Sequence, residues 1–337
     1  MNAKPRYEYL DVITGLLIIH MIIGHTLQFS GVWYEEGNFY KPVSQALAFF
    51  MPWFYFKSGL FANRNKDLRS WVEKDFRRLI VPFIVFSAIG AVFYYIYEFS
   101  APNREWWKIL FGPPYEVIRK GSSNGNLALW FLLSLFLTRL AYRLIPDNRQ
   151  PLAIVVALIC GAALAHWEII LPLTLSTVFP GFIFLMLGKY SRPYIVGDKL
   201  TKIKGGGKLL ILILYIAITI WLHPGLGMRS NETDDPYLLC IFTAWLGCLS
   251  MTVVFNSVLG KIGFLAYIGR HSMMFYVIHW LPLYISIPII LQVSPDITSA
   301  ELTVALAAIE VISLSIISWQ RQRIPAWWLG EGAITKK

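Results

Sequence analysis

The chain has 337 residues, of which 56% are hydrophobic and 15% charged, with a net charge of +10 and a mean hydropathy of +0.54. Soluble domains carry about 25% charged residues, so this composition excludes an ordinary soluble protein and predicts an all-α polytopic membrane bundle. The three cysteines (Cys160, Cys240 and Cys248) fall inside apolar runs. They read as small packing residues, which excludes a disulfide framework and leaves no metal-ligand spacing.

Ten spans are predicted, at 10–30, 43–62, 79–98, 126–145, 152–170, 172–190, 207–223, 237–258, 271–291 and 300–318. The first contains His20 and His25. Ionisable groups at membrane depth are costly and mark functional paths or interhelical contacts. Asp11 and His25 are 14 residues apart, close to four helical turns, and share a face with Thr14; His20 points elsewhere. His25 falls in the outer half of the hydrocarbon, about 22 Å along the helix from Leu10. A histidine there suits a general base, since its pKa lies near working pH, or a structural bond to a neighbouring helix.

The second span reads Phe49-Phe-Met-Pro-Trp-Phe-Tyr-Phe-Lys-Ser-Gly59. Pro52 allows a kink, and Ser58-Gly59 allows close backbone approach. Lys57 either snorkels to the near interface or faces the interior and holds an anion. Before the third span, Lys74, Arg77 and Arg78 suit phosphate binding at a helix start or plain electrostatic anchoring. The longest connection, about 99–125, has an aromatic part suited to the membrane surface. In the ninth span Ser272, Tyr276 and His279 lie on one stripe at i, i+4 and i+7. They either line a cavity or lock two helices together.

With the N-terminus placed in the cytoplasm, 23 of the 30 basic residues fall on the inner side. Six fall outside: Lys41, Arg104, Lys108, Arg119, Lys120 and Arg229. This bias is the positive-inside pattern. It predicts both termini cytoplasmic in a cell (inner) membrane and explains the basic charge without nucleic acid. The chain reads as a single membrane domain over 1–337, with no soluble domain appended.

Four segments in this order resemble the acyltransferase-3 family of bacterial multi-pass membrane O-acyltransferases. They are Tyr9-Leu-Asp11 with Gly15 and His25; Phe50-Met-Pro52 through Ser58-Gly59; Arg77-Arg78-Leu79 to Pro82; and Ile268-Gly269 with Ser272, Tyr276 and His279. Together they cover nearly the whole chain. The resemblance implies a ten-helix bundle that transfers an acyl group, acetyl by default, from cytoplasmic acyl-CoA. The acceptor is a hydroxyl of a saccharide or lipid-linked glycan, and no cofactor or metal is permanently bound.

The resemblance also places the family's essential first-helix histidine at His25, as general base or acyl relay. Lys57, Tyr276 and His279 become candidate donors to the carbonyl oxygen, and Lys74, Arg77 and Arg78 candidate contacts for CoA phosphates. Asp11, Ser58, Gly59 and Ser272 fall on motif positions. One departure stands out. The family usually has Arg or Lys 11 residues before the histidine, where this chain has Thr14. It usually has an apolar residue before Ser-Gly, where this chain has Lys57. Lys57 is therefore expected to supply in space the cation that Thr14 lacks. The rival reading is a transporter or flippase of a small solute or lipid-linked sugar, for which discontinuous helices and an internal repeat are expected; the sequence has no repeat. A second rival is a non-catalytic partner in polysaccharide export.

Overall fold

The computed structural model describes residues 7–64, 67–100, 105–196, 203–222, 225–233, 236–256 and 261–331. Both termini, and the orientation markers Lys4, Arg6, Lys66, Arg104, Lys199, Lys202, Lys336 and Lys337, lie outside them. The protein is an all-α bundle, and nine helices among the described residues are long and apolar enough to cross a membrane. The elements are α1 (Glu8–Ser30), α2 (Lys41–Ala46), α3 (Phe50–Leu60), α4 (Leu68–Asp75), α5 (Val81–Ser100), α6 (Trp106–Lys120), α7 (Trp130–Leu144) and α8 (Gln150–His166). After these come α9 (Leu175–Ile195), α10 (Gly205–Leu222), the two-residue strands β1 (Leu226–Gly227) and β2 (Glu232–Thr233), and α11 (Tyr237–Val254). The last are α12 (Gly263–Arg270), α13 (Ser272–Ile278), α14 (Trp280–Val293) and α15 (Ser299–Trp319).

Two predicted spans differ from expectation. The second is broken: α2 ends at Ala46, and α3 starts at Phe50 with Pro52 in its first turn, where the missing N–H costs nothing. Neither piece alone reaches spanning length. The ninth begins eight residues early, at Gly263, and is interrupted at His271 and His279. The third continues straight from α4 through a π-helical turn, Phe76–Ile80. The 99–125 connection contains α6, which exposes Trp106, Trp107, Leu110, Phe111, Tyr115 and Ile118, an apolar face of the kind that lies on a membrane surface.

Two glycine-mediated crossings hold the bundle. A Cβ on Gly15 would stand 2.0 Å from the Leu265 carbonyl oxygen, and one on Gly269 would stand 1.8 Å from that of Asp11. Likewise a Cβ on Gly59 would meet the Leu185 oxygen at 1.9 Å, and one on Gly188 the Phe56 oxygen at 2.0 Å. Lipid gives helices no hydrophobic reason to associate, so close backbone packing at small residues drives the contact. The first crossing joins α1 to α12 and the second joins α3 to α9. Contacts advance together along both chains of the first pair, from Gly15 with Gly269 to His25 with His279 and Phe29 with Trp280. Hence α1 runs parallel to the α12–α14 segment, whereas α3 runs antiparallel to α1, with Lys57 by Asp11 and Phe50 by His20.

Candidate active site

His25 and His279 meet near the Ser30 end of α1. Their rings stack with centroids 5.3 Å apart, and the Trp280 indole closes edge-on against His25 at 4.9 Å. The pair forms because α1 and α13 run parallel, so that residues at equal distances beyond the Gly15–Gly269 crossing arrive at the same depth. His279 Nδ1 lies 2.8 Å from the Tyr276 carbonyl oxygen, and His25 Nδ1 lies 3.0 Å from Gln28 Oε1. A carbonyl oxygen only accepts, so with these partners each Nδ1 carries the proton and donates, and each Nε2 keeps its lone pair. His279 is fully buried, and its Nε2 has no protein partner among the described residues; neither has the indole N–H of Trp280. An acceptor and a donor thus stand buried and unsatisfied beside His25. Buried polar groups are nearly always paired, with protein, with water or with a bound group.

Tyr276 is in the same cluster, but its hydroxyl donates to the Ala128 carbonyl oxygen and so pins α13 to the turn before α7. Asn126 on that turn donates its amide to the Val277 carbonyl oxygen at 2.9 Å. Arg229, from the β1–β2 hairpin, is close enough for its charge to act on both His25 and Tyr276. Ser272 stands at the start of α13, two turns of chain before His279.

Lys57 is elsewhere. Its ammonium donates to Thr14 Oγ1 at 2.7 Å, to the Leu10 carbonyl oxygen at 3.3 Å and to Asp11 Oδ1 at 3.4 Å. The Trp53 indole donates to the same Thr14 oxygen at 3.2 Å. Asp11 and His25 are separated by about 21 Å of helix, so Lys57 does not reach the histidine pair, contrary to its expected place beside the carbonyl oxygen. Its Nζ does occupy the space directly beyond the Thr14 side chain, where the sequence comparison called for a cation.

The remaining predicted residues gather at the basic end of the bundle. Arg77 forms an exposed pair with Glu73 at 2.6 Å, and Lys74 and Arg78 flank it at the entry to the π-helical turn. Ser58 accepts from Arg139 Nη1 at 2.6 Å, and the same guanidinium grips the buried Asp75 with two nitrogens. Gly59 makes the crossing with α9 described above. His20 bonds the Tyr40 hydroxyl through Nδ1 at 2.8 Å, just before α2. At the opposite end a cavity of about 360 Å³ is lined by Trp33, Tyr34, Glu35, Glu36, Asn38 and Lys41. Trp33 also packs against α1 at Gly24, next to His25. Among the described residues, no three His, Cys, Asp or Glu side chains converge as metal ligands.

The family model described as Acyltransferase domain (Acyl_transf_3) matches residues 7–328. The chain belongs to this acyltransferase family. No curated protein and no solved structure matches it. Membership makes it a membrane acyltransferase, with an acyl donor and an acceptor as substrates.

Sequence reasoning missed Gln28, Trp280, Arg229 and Asn126. Gln28 was accessible as the i+3 neighbour of His25, and Trp280 as the residue following His279. Arg229 and Asn126 come from connections whose approach to the bundle leaves no periodic signal.

Proposed function

We propose that the protein moves an acyl group, acetyl by default, from acyl-CoA on the cytoplasmic side to a hydroxyl of a saccharide or cell-surface glycan precursor. The reading is carried by one observation: a stacked His25–His279 pair with both Nδ1 atoms committed, His279 buried and His25 half-buried, inside an acyltransferase bundle. His25 Nε2 takes the proton from the acceptor hydroxyl while its oxygen attacks the thioester carbonyl. The carbon–sulfur bond then breaks, and the CoA thiolate leaves with the proton that His25 held. His279 orients His25 from behind. With Tyr276 committed to Ala128, the free indole N–H of Trp280 is the donor best suited to the oxygen that gains charge.

Lys74, Arg77 and Arg78 engage the CoA phosphates at the basic end. The Lys57–Asp11–Thr14 cluster lies between that end and the histidines, where it positions the extended pantetheine arm. The arrangement lets the acyl group reach the far half of the membrane while the nucleotide stays inside.

The test is to count O-acetyl esters by proton NMR on polysaccharide from wild-type, His25→Ala and deletion strains, with membrane expression checked alongside. Loss of esters in both mutants, with the His25→Ala protein still folded, is the expected result. The broken α2–α3 span and the interrupted α12–α14 segment favour the transporter reading. Unchanged esters with altered polysaccharide export would move that reading ahead.

A further inference from the structure

Positive-inside topology leaves the far side of the bundle with few basic residues, so where those few stand is informative. Three of the six assigned to that side come together. Arg119 and Lys120 end α6, and Arg229 reaches the turn that follows it, donating from Nη2 to Ser122 Oγ at 3.3 Å. Membrane anchoring needs no such convergence. The nearest acid, Glu116, is already held by Lys120 at 3.2 Å and Arg119 at 3.7 Å, and it bears on Arg229 only through space. Arg229 is half-buried and has no ion pair among the described residues. These four groups together keep a surplus of positive charge.

The turn held by Arg229 carries a second signal. Ser123 and Asn126 are almost wholly buried, and neither the Ser123 hydroxyl nor the Asn126 side-chain oxygen has a partner among the described residues. Leaving such groups unpaired is expensive, and a hydroxylated ligand would satisfy both. The turn also connects directly to the histidine pair, because Asn126 holds Val277, two residues before His279.

We propose that Arg229, with Ser122, Ser123 and Asn126, forms a subsite for an anionic group of the acceptor, so that the protein selects a saccharide bearing a phosphate or carboxylate. The guanidinium takes the anion, and the buried serine and asparagine oxygens take sugar hydroxyls. This holds a further hydroxyl of the same sugar at His25. The subsite deepens the transferase reading and rests on it for the identity of the acceptor as a hydroxyl compound.

The experiment uses the full chain in nanodiscs of phosphatidylcholine, which carries no net charge to compete. Binding of glucose 1-phosphate, glucuronate and glucose is followed by tryptophan fluorescence. At least one anionic sugar should bind about tenfold more tightly than glucose, as a charge-assisted contact provides, and inorganic phosphate should compete with it. Arg229→Gln should abolish the preference and Arg229→Lys should keep part of it. A preference confined to glucose 1-phosphate assigns a phosphorylated acceptor, and one confined to glucuronate an acidic sugar.

Equal or absent binding of the three sugars, or an unchanged preference in Arg229→Gln, would overturn the proposal. Competition by phosphate on the wild type needs no variant, so a misfolded substitution does not shelter the idea. Ester counts separate the two readings. Esters lost in His25→Ala but intact in Arg229→Gln sink the subsite alone. Anion preference in a protein that forms no ester sinks the transferase reading alone.

Discussion

Replacing Lys57 by Leu tests the cluster that stands where the sequence departs from its family. The Lys57 side chain is about one quarter exposed, and its ammonium donates to Thr14, Leu10 and Asp11. Loss of the short bond to Thr14 and of the longer charged contact to Asp11 costs about 2–4 kcal/mol, below the cost of breaking a fully buried pair because the Lys57 side chain is only partly buried. Lys57→Leu should therefore melt several degrees lower in detergent, followed by fluorescence on heating, and should lose transfer activity. Thr14→Arg added to Lys57→Leu places a guanidinium in the same space, beside Asp11 and under Trp53. It should recover both properties in part. A Lys57→Leu protein with wild-type melting and wild-type activity would refute the idea that this cation is needed. Recovered stability without recovered activity would confine the cluster to a structural role.

Gly269→Ala should destabilise by about 1–3 kcal/mol or more and lower activity, because the new methyl falls inside the Asp11 backbone and forces α12 off α1; melting of the purified protein measures it. Arg139→Met should cost about 3–5 kcal/mol, since it strands the buried carboxylate of Asp75. Arg77→Met, which breaks an exposed pair, should cost under about 1 kcal/mol, and a comparison of the two melting curves checks the contrast. Asp67 caps α4, and the hydroxyl and then the amide of Ser70 hold its carboxyl below the ordinary aspartate range. The cap is therefore complete above the ordinary value of 3.8 and is lost as pH falls through the depressed one. Hydrogen exchange at the Ser70 amide should speed up over that window, and Asp67→Ala should remove the effect.

The first span was legible nearly to the residue because its largely apolar run continues to Gly31, whose positive φ closes α1. The second was legible only as a hydrophobic stretch. Its break at 47–49 falls inside an apolar stretch, Leu47-Ala48-Phe49, that carries no turn signal. The start of the ninth was read late because α12 carries Arg270 and His271 at its end, and hydropathy counts them as a boundary. Packing against α1 through Gly269 holds the turns before them helical. The histidines themselves were visible, since a lone ionisable residue in an apolar run stands out. Their stacking was not, because spacing describes one helix at a time and the pair belongs to two. Lys57 shows the same limit. Its oddity was evident from its neighbours in sequence, but its distance from His25 required knowing that α3 runs antiparallel to α1.

The parallel pairing of α1 with α12–α14 has a consequence for how the protein is made. The two histidines are separated by 254 positions. At translation rates of 5–20 residues per second, His25 enters the membrane roughly 13–50 s before His279 exists. The hairpin of α1 and α3 can settle early, tied by Lys57, Trp53 and Thr14, while the far half of α1 waits for its partner. The segment from Gly263 to Val293 then acts as a clasp. A nascent chain that stops between the two holds one histidine without its mate and carries no complete site.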